Sequence, residues 1–147
     1  MDFQLRQATI HDADFLFALH SASMRDVIAA TWEWNEAWQR DHFDSHFLPD
    51  TISLIYCEET PVGMLELRDR PDSLYVANLK VMPSWQSRGL GQSVMHEVLR
   101  RAAAEHRSVT LQVLEANVGA RRLYERLGFV RIADTPPHIQ FRHECPQ

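Results

Sequence analysis

The chain has 147 residues, 45% of them hydrophobic and 24% charged, with a formal net charge of −5, a balance that points to one folded domain and excludes disorder and fibrous classes. An acidic chain is a poor binder of duplex DNA or RNA, because neutralising phosphates supplies most of that affinity. No apolar run nears the roughly 20 residues that span a bilayer, and Met1-Asp2-Phe3-Gln4 lacks the basic start and apolar core of a signal peptide, so the cytoplasm is the expected compartment.

Phe3 to Ala8 alternates as a short strand, and Thr9 with Asp12 three residues on resembles a helix-starting box. Phe15, Leu16, Leu19, Ala22 and Val27 then keep helical spacing for one buried face. Thr31 to Leu48, with Trp32, Trp34, Trp38, Phe43 and Phe47, reads as a second, aromatic helix closed by Pro49-Asp50. From Ile52 the pattern turns to β: Ile52–Cys57, a turn at 58–61, Val62–Arg68, a turn at 70–72, and Ser73 to Val81, three consecutive antiparallel strands. Leu90, Val94, Met95, Val98, Leu99 and Ala102 trace one helical stripe over Leu90 to His106. Val109 to Leu114 follows as a strand, completing a βαβ unit that sets two strands parallel. Asn117 is a good N-cap for a last helix with Ala120, Leu123, Tyr124 and Leu127 inward and Gly128 as its stop. Phe129–Ile132 and Ile139–Arg142 make a final strand pair around Pro136-Pro137. The expected architecture is α+β over residues 1–147, a mixed and mostly antiparallel sheet with helices on both faces.

Gln86-Ser87-Arg88-Gly89-Leu90-Gly91 lies between a strand and a helix. A glycine turn opening a helix aims unpaired backbone N–H groups at one point, where the helix dipole also favours negative charge. A phosphate or pyrophosphate is the natural occupant. Gly89 and Gly91 suit positive φ or close approach of the ligand, and Arg88 adds a cation with several donors. An ordinary left-handed turn before a helix explains the same glycines.

Leu79-Lys80-Val81-Met82-Pro83 followed by this loop resembles the strand and Q/R-x-x-G-x-G/A pyrophosphate loop of the GNAT superfamily of acyl-CoA-dependent N-acetyltransferases. Leu111 to Asn117, Ala120, Leu123-Tyr124-Glu125 and Leu127-Gly128-Phe129 resemble its second conserved block. Two blocks in the right order are more specific than either alone. The resemblance implies a GNAT-like fold in which the fourth strand, with Leu79 and Val81, splays from the fifth, with Leu111 and Val113, so that unpaired backbone groups receive a pantetheine arm. It implies acetyl-CoA as co-substrate, with contacts from Leu79, Lys80, Val81, Gln86, Ser87, Arg88, Gly89, Leu90, Gly91, Gln92, Ser93, Asn117 and Tyr124, and no metal. Asn117 is also explained as an N-cap, and Tyr124 on spacing alone as a core tyrosine. The resemblance makes Tyr124 the acid that protonates a departing thiolate, since a phenol with a pKa of about 10 is protonated at pH 7.

The attacking amine must be neutral, so a base or a water chain has to remove its proton. Some members place a glutamate on the fourth or fifth strand, whereas this chain has Asn78, Lys80 and Gln112 there. Glu66 on the third strand is the candidate, if burial raises its pKa; a solvent-facing residue on an alternating strand is the plain alternative. Trp32, Trp34 and Trp38 with Glu33 and Gln39 fall where GNAT proteins build the acceptor pocket, and Glu33, Trp34 and Gln39 are the expected acceptor contacts. The expected reaction is acetyl transfer to a primary amine, a small molecule or a peptide N-terminus, by direct attack in a ternary complex. The rival is a catalytically silent acyl-CoA sensor or partner module. Exposed sheet edges suit a homodimer.

Other chemistries fit less well. His42 and His46 are spaced i, i+4 with Asp41 and Asp44 nearby, but no third ligand is evident for zinc. Val94 stands where a dinucleotide fingerprint needs its third glycine, and Gly-Lys-Ser/Thr is missing. Cys57 and Cys145 are far apart without C-x-x-C spacing, which argues against a disulfide framework or zinc knuckle, and Cys57 has no neighbouring histidine to activate it.

Overall fold

In a computed structural model that describes residues 2–144, the first strand, β1 (Gln4–Gln7), ends at a capping box. The Asp12 side chain accepts from Thr9 N at 2.8 Å and Thr9 Oγ1 accepts from His11 N at 3.2 Å. That box starts a 3₁₀ turn that runs into α1 (Ala13–Ala29). Then come α2 (Glu36–His46), β2 (Ile52–Cys57), β3 (Thr60–Asp69), β4 (Ser73–Val81), α3 (Leu90–Ala104), β5 (Ser108–Leu114), α4 (Val118–Arg126), β6 (Val130–Thr135) and β7 (His138–His143).

The seven strands form one sheet in the order β1-β2-β3-β4-β5-β7-β6, antiparallel throughout except for the parallel pair β4–β5. Alternation along the strands divides the core in two. On one face Leu65, Leu74, Val76, Leu111 and Phe141 pack with Leu90, Val94, Met95 and Val98 of α3 and Tyr124 of α4. On the other, Ile52, Leu54 and Met64 pack with Leu16 and Leu19 of α1, flanked by Phe43 and Phe47. β6 is exposed along its whole length and leaves a free sheet edge.

The aromatic segment departs from its expected form. Thr31 N and Trp32 N donate back to Ile28 O and finish α1, and Asn35 Oδ1 then accepts from Trp38 N at 2.9 Å and caps a new helix. The second helix therefore spans Glu36–His46 rather than 31–48, and Trp32 to Trp34 form the loop between the helices. Cys57 is buried with a free thiol; Cys145 lies outside the described residues.

β4 and β5 part company midway. Their ladder runs from Ser73↔Ser108 to Val76↔Leu111 and stops, while β4 stays paired with β3 as far as Val81 and β5 with β7 as far as Leu114. A bulge marks the fork: Glu66 pairs with Asn78 and Leu67 with Val76, so Ala77 is skipped in the register with β3. An extra residue bends the strand that carries it, which turns β4 beyond Val76 away from β5.

Candidate functional site

The fork opens into a cleft of about 550 Å³. Its floor and walls come from Leu79, Lys80 and Val81 on β4, Trp85, Gln86, Ser87 and Gly89 of the following loop, the first residues of α3, Ala116 to Ala120 with Leu123, Tyr124 and Arg126, and Ser23, Met24 and Val27 of α1. The expected coenzyme residues thus converge, apart from Arg88 and Ser93, which lie outside the lining. Arg88 instead lays its guanidinium over the Trp85 ring at 4.7 Å. The sequence does not reveal the contribution of α1, since its spacing places Val27 on a buried face and gives Ser23 and Met24 no role.

Met82 N donates to Val62 O at 2.7 Å and fixes the phase of the β3–β4 ladder. Hydrogen-bonding alternates along an antiparallel pair, so Lys80 and Asn78 bond toward β3 while Leu79 and Val81 turn their backbone groups to the gap. Gln86 Nε2 donates to Val81 O at 2.9 Å, tying the loop to the strand end. Backbone groups facing such a gap need partners, and an extended ligand with amides can supply them.

At the loop, Gly89 has φ +84°, in the left-handed region, and a Cβ there would meet nothing within 4 Å; it is glycine for conformation rather than for space. Gly91 has no positive φ, and a Cβ there would meet Leu123 Cδ2 at 3.4 Å, an ordinary van der Waals contact. Ser93 N makes the first intrahelical bond, to Gly89 O at 3.0 Å. The N–H groups of Leu90, Gly91 and Gln92 precede it, and α3 has no side-chain cap. Three amides and a helix dipole over an open cleft suit an anion.

Across the cleft, Asn117 caps α4 by accepting from Ala120 N at 3.2 Å, which leaves its amide hydrogens for another partner. Tyr124 is 6% exposed and packs edge-on to Phe129 at 5.5 Å. Burial pushes its phenol pKa up, so the group is a proton donor at neutral pH.

Glu66 is buried but stands away from the cleft lining. Its carboxylate accepts from Thr51 Oγ1 at 2.7 Å, Arg68 Nη2 at 2.9 Å and Asn78 Nδ2 at 2.8 Å. It is neither the solvent-facing residue that alternation suggests nor a carboxylate with an idle oxygen. The expected acceptor residues also stand outside the cleft, yet two of them meet it through one histidine. His20 of α1 bonds Gln39 Oε1 through Nε2 at 2.8 Å and Lys80 Nζ through Nδ1 at 3.0 Å, and its ring lies 5.7 Å from that of Trp34. Trp34 Nε1 donates to Glu36 at 2.8 Å, Glu33 is exposed, and Trp32 reaches the His138 ring at 6.2 Å. Burial and the Lys80 charge push the His20 pKa down to about 4. Burial lowers that of Lys80 to about 8, against a pull upward from Glu66.

On the outer surface of α2, Trp38, His42 and His46 stack at 4.8 and 4.1 Å. Among the described residues no group of three or more His, Cys, Asp or Glu side chains converges as a metal site would. No helix among them is long and apolar enough to cross a membrane.

The family model of the GNAT acetyltransferases matches residues 14–129, and the chain belongs to that family. In structure it is similar to the PaiA N-acetyltransferase of Thermoplasma acidophilum in complex with coenzyme A (TM-score 0.81, 14% identity, 98% of this chain and 99% of that one). It is also similar to an acetyltransferase of Thermus thermophilus (0.77, 17%, 97% and 97%) and to Ard1 of Thermoplasma volcanium (0.72, 17%, 100% and 100%). No curated protein matches the sequence significantly.

Proposed function

We propose that the chain transfers the acetyl group of acetyl-CoA to a primary amine, which attacks the thioester directly while both substrates are bound. The observation that carries this reading is the end of the β4–β5 ladder at Val76↔Leu111, beside the Gly89 turn and opposite Tyr124. The coenzyme A held by the Thermoplasma acidophilum relative supports it. The reading calls for the cytoplasm.

The thioester brings an activated acyl group and a thiol leaving group. The residues do the rest. The amides of Leu90, Gly91 and Gln92 receive the pyrophosphate, assisted by the loop from Gln86. Leu79 and Val81 offer backbone groups to the pantetheine amides, and Asn117 donates to a carbonyl of the same arm. Tyr124, kept protonated by burial, gives its proton to the departing sulfur. The amine approaches from the side of α1, between Lys80, His20 and the Trp34 loop.

Thiol release from acetyl-CoA over a panel of spermidine, an aminoglycoside, free amino acids and a tetrapeptide tests this. Turnover of at least one amine is expected, with kcat lowered roughly 100-fold in Tyr124→Phe and little change in KM for acetyl-CoA. Tight acetyl-CoA binding without turnover of any amine would favour the silent sensor instead.

A further inference from the structure

Lys80 is the one lysine of the chain; the other fourteen of its fifteen Lys and Arg residues are arginine. That lysine lines the cleft. Three titratable side chains do so among the described residues, Lys80, Tyr124 and Arg126, and an arginine stays protonated at any working pH. Tyr124 is a held acid. Glu66 has its oxygens engaged by three donors away from the lining. His20 has both ring nitrogens in use, its Nε2–H donating to Gln39 Oε1 and its Nδ1 accepting from Lys80.

We propose that Lys80 Nζ is the base that takes the proton from the acceptor ammonium, with His20 Nδ1 as the positioning group that holds it at the cleft. The inference rests on the acetyltransferase reading and gives that reading its missing proton acceptor. The neutral Lys80 amine accepts one proton from the ammonium and becomes an ammonium that donates to His20 Nδ1. The freed amine nitrogen bonds to the thioester carbonyl carbon, and the carbon–sulfur bond breaks. The sulfur takes the Tyr124 proton, and the second proton shed by the new amide nitrogen restores the phenol. Lys80 returns its proton to solvent.

The surroundings support this chemistry. Around Lys80 stand Glu66 with Arg68 from β3, His20 from α1, Glu36 and His42 from α2 acting through His20, and Tyr124 across the cleft. Glu66 favours the charged lysine, but its own pairing with Arg68 at 2.9 Å blunts that pull, and burial prevails. With its pKa near 8, about a tenth of Lys80 is neutral at pH 7, against well under a thousandth for an ordinary lysine.

The lone lysine makes the test direct. Reductive methylation with ¹³C-formaldehyde labels Lys80 and the N-terminal amine, and NMR follows Lys80 through a pH titration of the ligand-free protein. A midpoint near 8 is expected, and a lower one in His20→Phe, because the hydrogen bond that favours the ammonium is gone; a merely structural His20 would leave the midpoint in place. A midpoint at the ordinary value of 10.5 overturns the proposal. In kinetics with the panel amine that turns over, Lys80→Arg and Lys80→Met should each lose roughly 100-fold in kcat along with the limb near pH 8, with KM for acetyl-CoA within about twofold. Wild-type kcat and an unchanged limb in Lys80→Arg overturn the proposal, as does accumulation of acetyl-Lys80 in protein incubated with acetyl-CoA, which would make the amine a nucleophile. If calorimetry detects no acetyl-CoA binding, the acetyltransferase reading fails and this inference with it; binding and turnover with an unchanged limb sink the inference alone.

Discussion

Val76 on β4 and Leu111 on β5 form the last rung of the parallel ladder, and Ala77, the next residue of β4, is skipped in the register with β3. Bulge and fork therefore coincide. The strand that must pair with β3 and yet leave β5 changes direction at the residue that this register skips. The backbone pairing itself thus opens the cleft.

Gly63 guards that geometry from the other side of β4. A Cβ on Gly63 would lie 2.5 Å from Lys80 O, a backbone atom that cannot swing aside. Gly63→Ala should destabilise the fold by about 1–3 kcal/mol, shift the arm of β4, and weaken acetyl-CoA binding. Urea denaturation and calorimetry measure both effects. Gly119→Ala, where an added Cβ meets nothing within 4 Å, is the control and should leave stability unchanged or raise it slightly.

Gly89 tests the cradle separately. Its φ of +84° costs a residue with a Cβ about 1–2 kcal/mol, and the strain falls on the turn that aims the Leu90, Gly91 and Gln92 amides. Gly89→Ala is expected to weaken acetyl-CoA binding roughly tenfold, on that same energetic scale, while the core stays intact by near-ultraviolet circular dichroism. Unaltered affinity would place the pyrophosphate elsewhere.

Glu66 belongs to the frame of the cleft. Its carboxylate joins β3 to β4 through Asn78 and to the turn before β2 through Thr51. In Glu66→Gln the amide hydrogens face donors, so a loss of about 1–3 kcal/mol is expected in urea denaturation, with kcat of the folded variant within about threefold of wild type. A loss of kcat as large as that of Tyr124→Phe, without loss of stability, would return the base to Glu66.

Local pattern carried most of the fold. The α3 stripe from Leu90 to Ala102, the β2 to β4 meander and the Asn117 cap all express a periodicity or a cap confined to neighbouring residues, and the structure has them. The aromatic segment misled because Trp32 and Trp34 satisfy helical spacing while the boundary is decided by two backbone bonds to Ile28 O and by the Asn35 cap. The Lys80–His20–Gln39 chain was invisible for another reason: Lys80 and His20 are 60 positions apart, and only the packing of α1 on β4 brings them together. A single lysine among fourteen arginines was the signal that could have drawn attention there.

His20 should also leave its mark on stability. Its folded pKa of about 4 lies below the ordinary 6.5, so between those values the unfolded chain binds a proton that the native protein does not. Stability therefore rises with pH through this window, is complete above about 6.5, and is lost as pH falls toward 4. Burial of the neutral ring sets the sign, and the amplitude is about 2–3 kcal/mol at most. In His20→Phe, which retains a ring against Trp34, the absolute stability falls because Gln39 loses its partner, but the slope of stability against pH between 4 and 6.5 should flatten by up to one proton. Urea midpoints taken across that range in both proteins measure the slope. Parallel curves would mean that His20 titrates alike in the folded and unfolded chain, and the ring would then have to be solvated rather than wedged between Lys80 and Gln39.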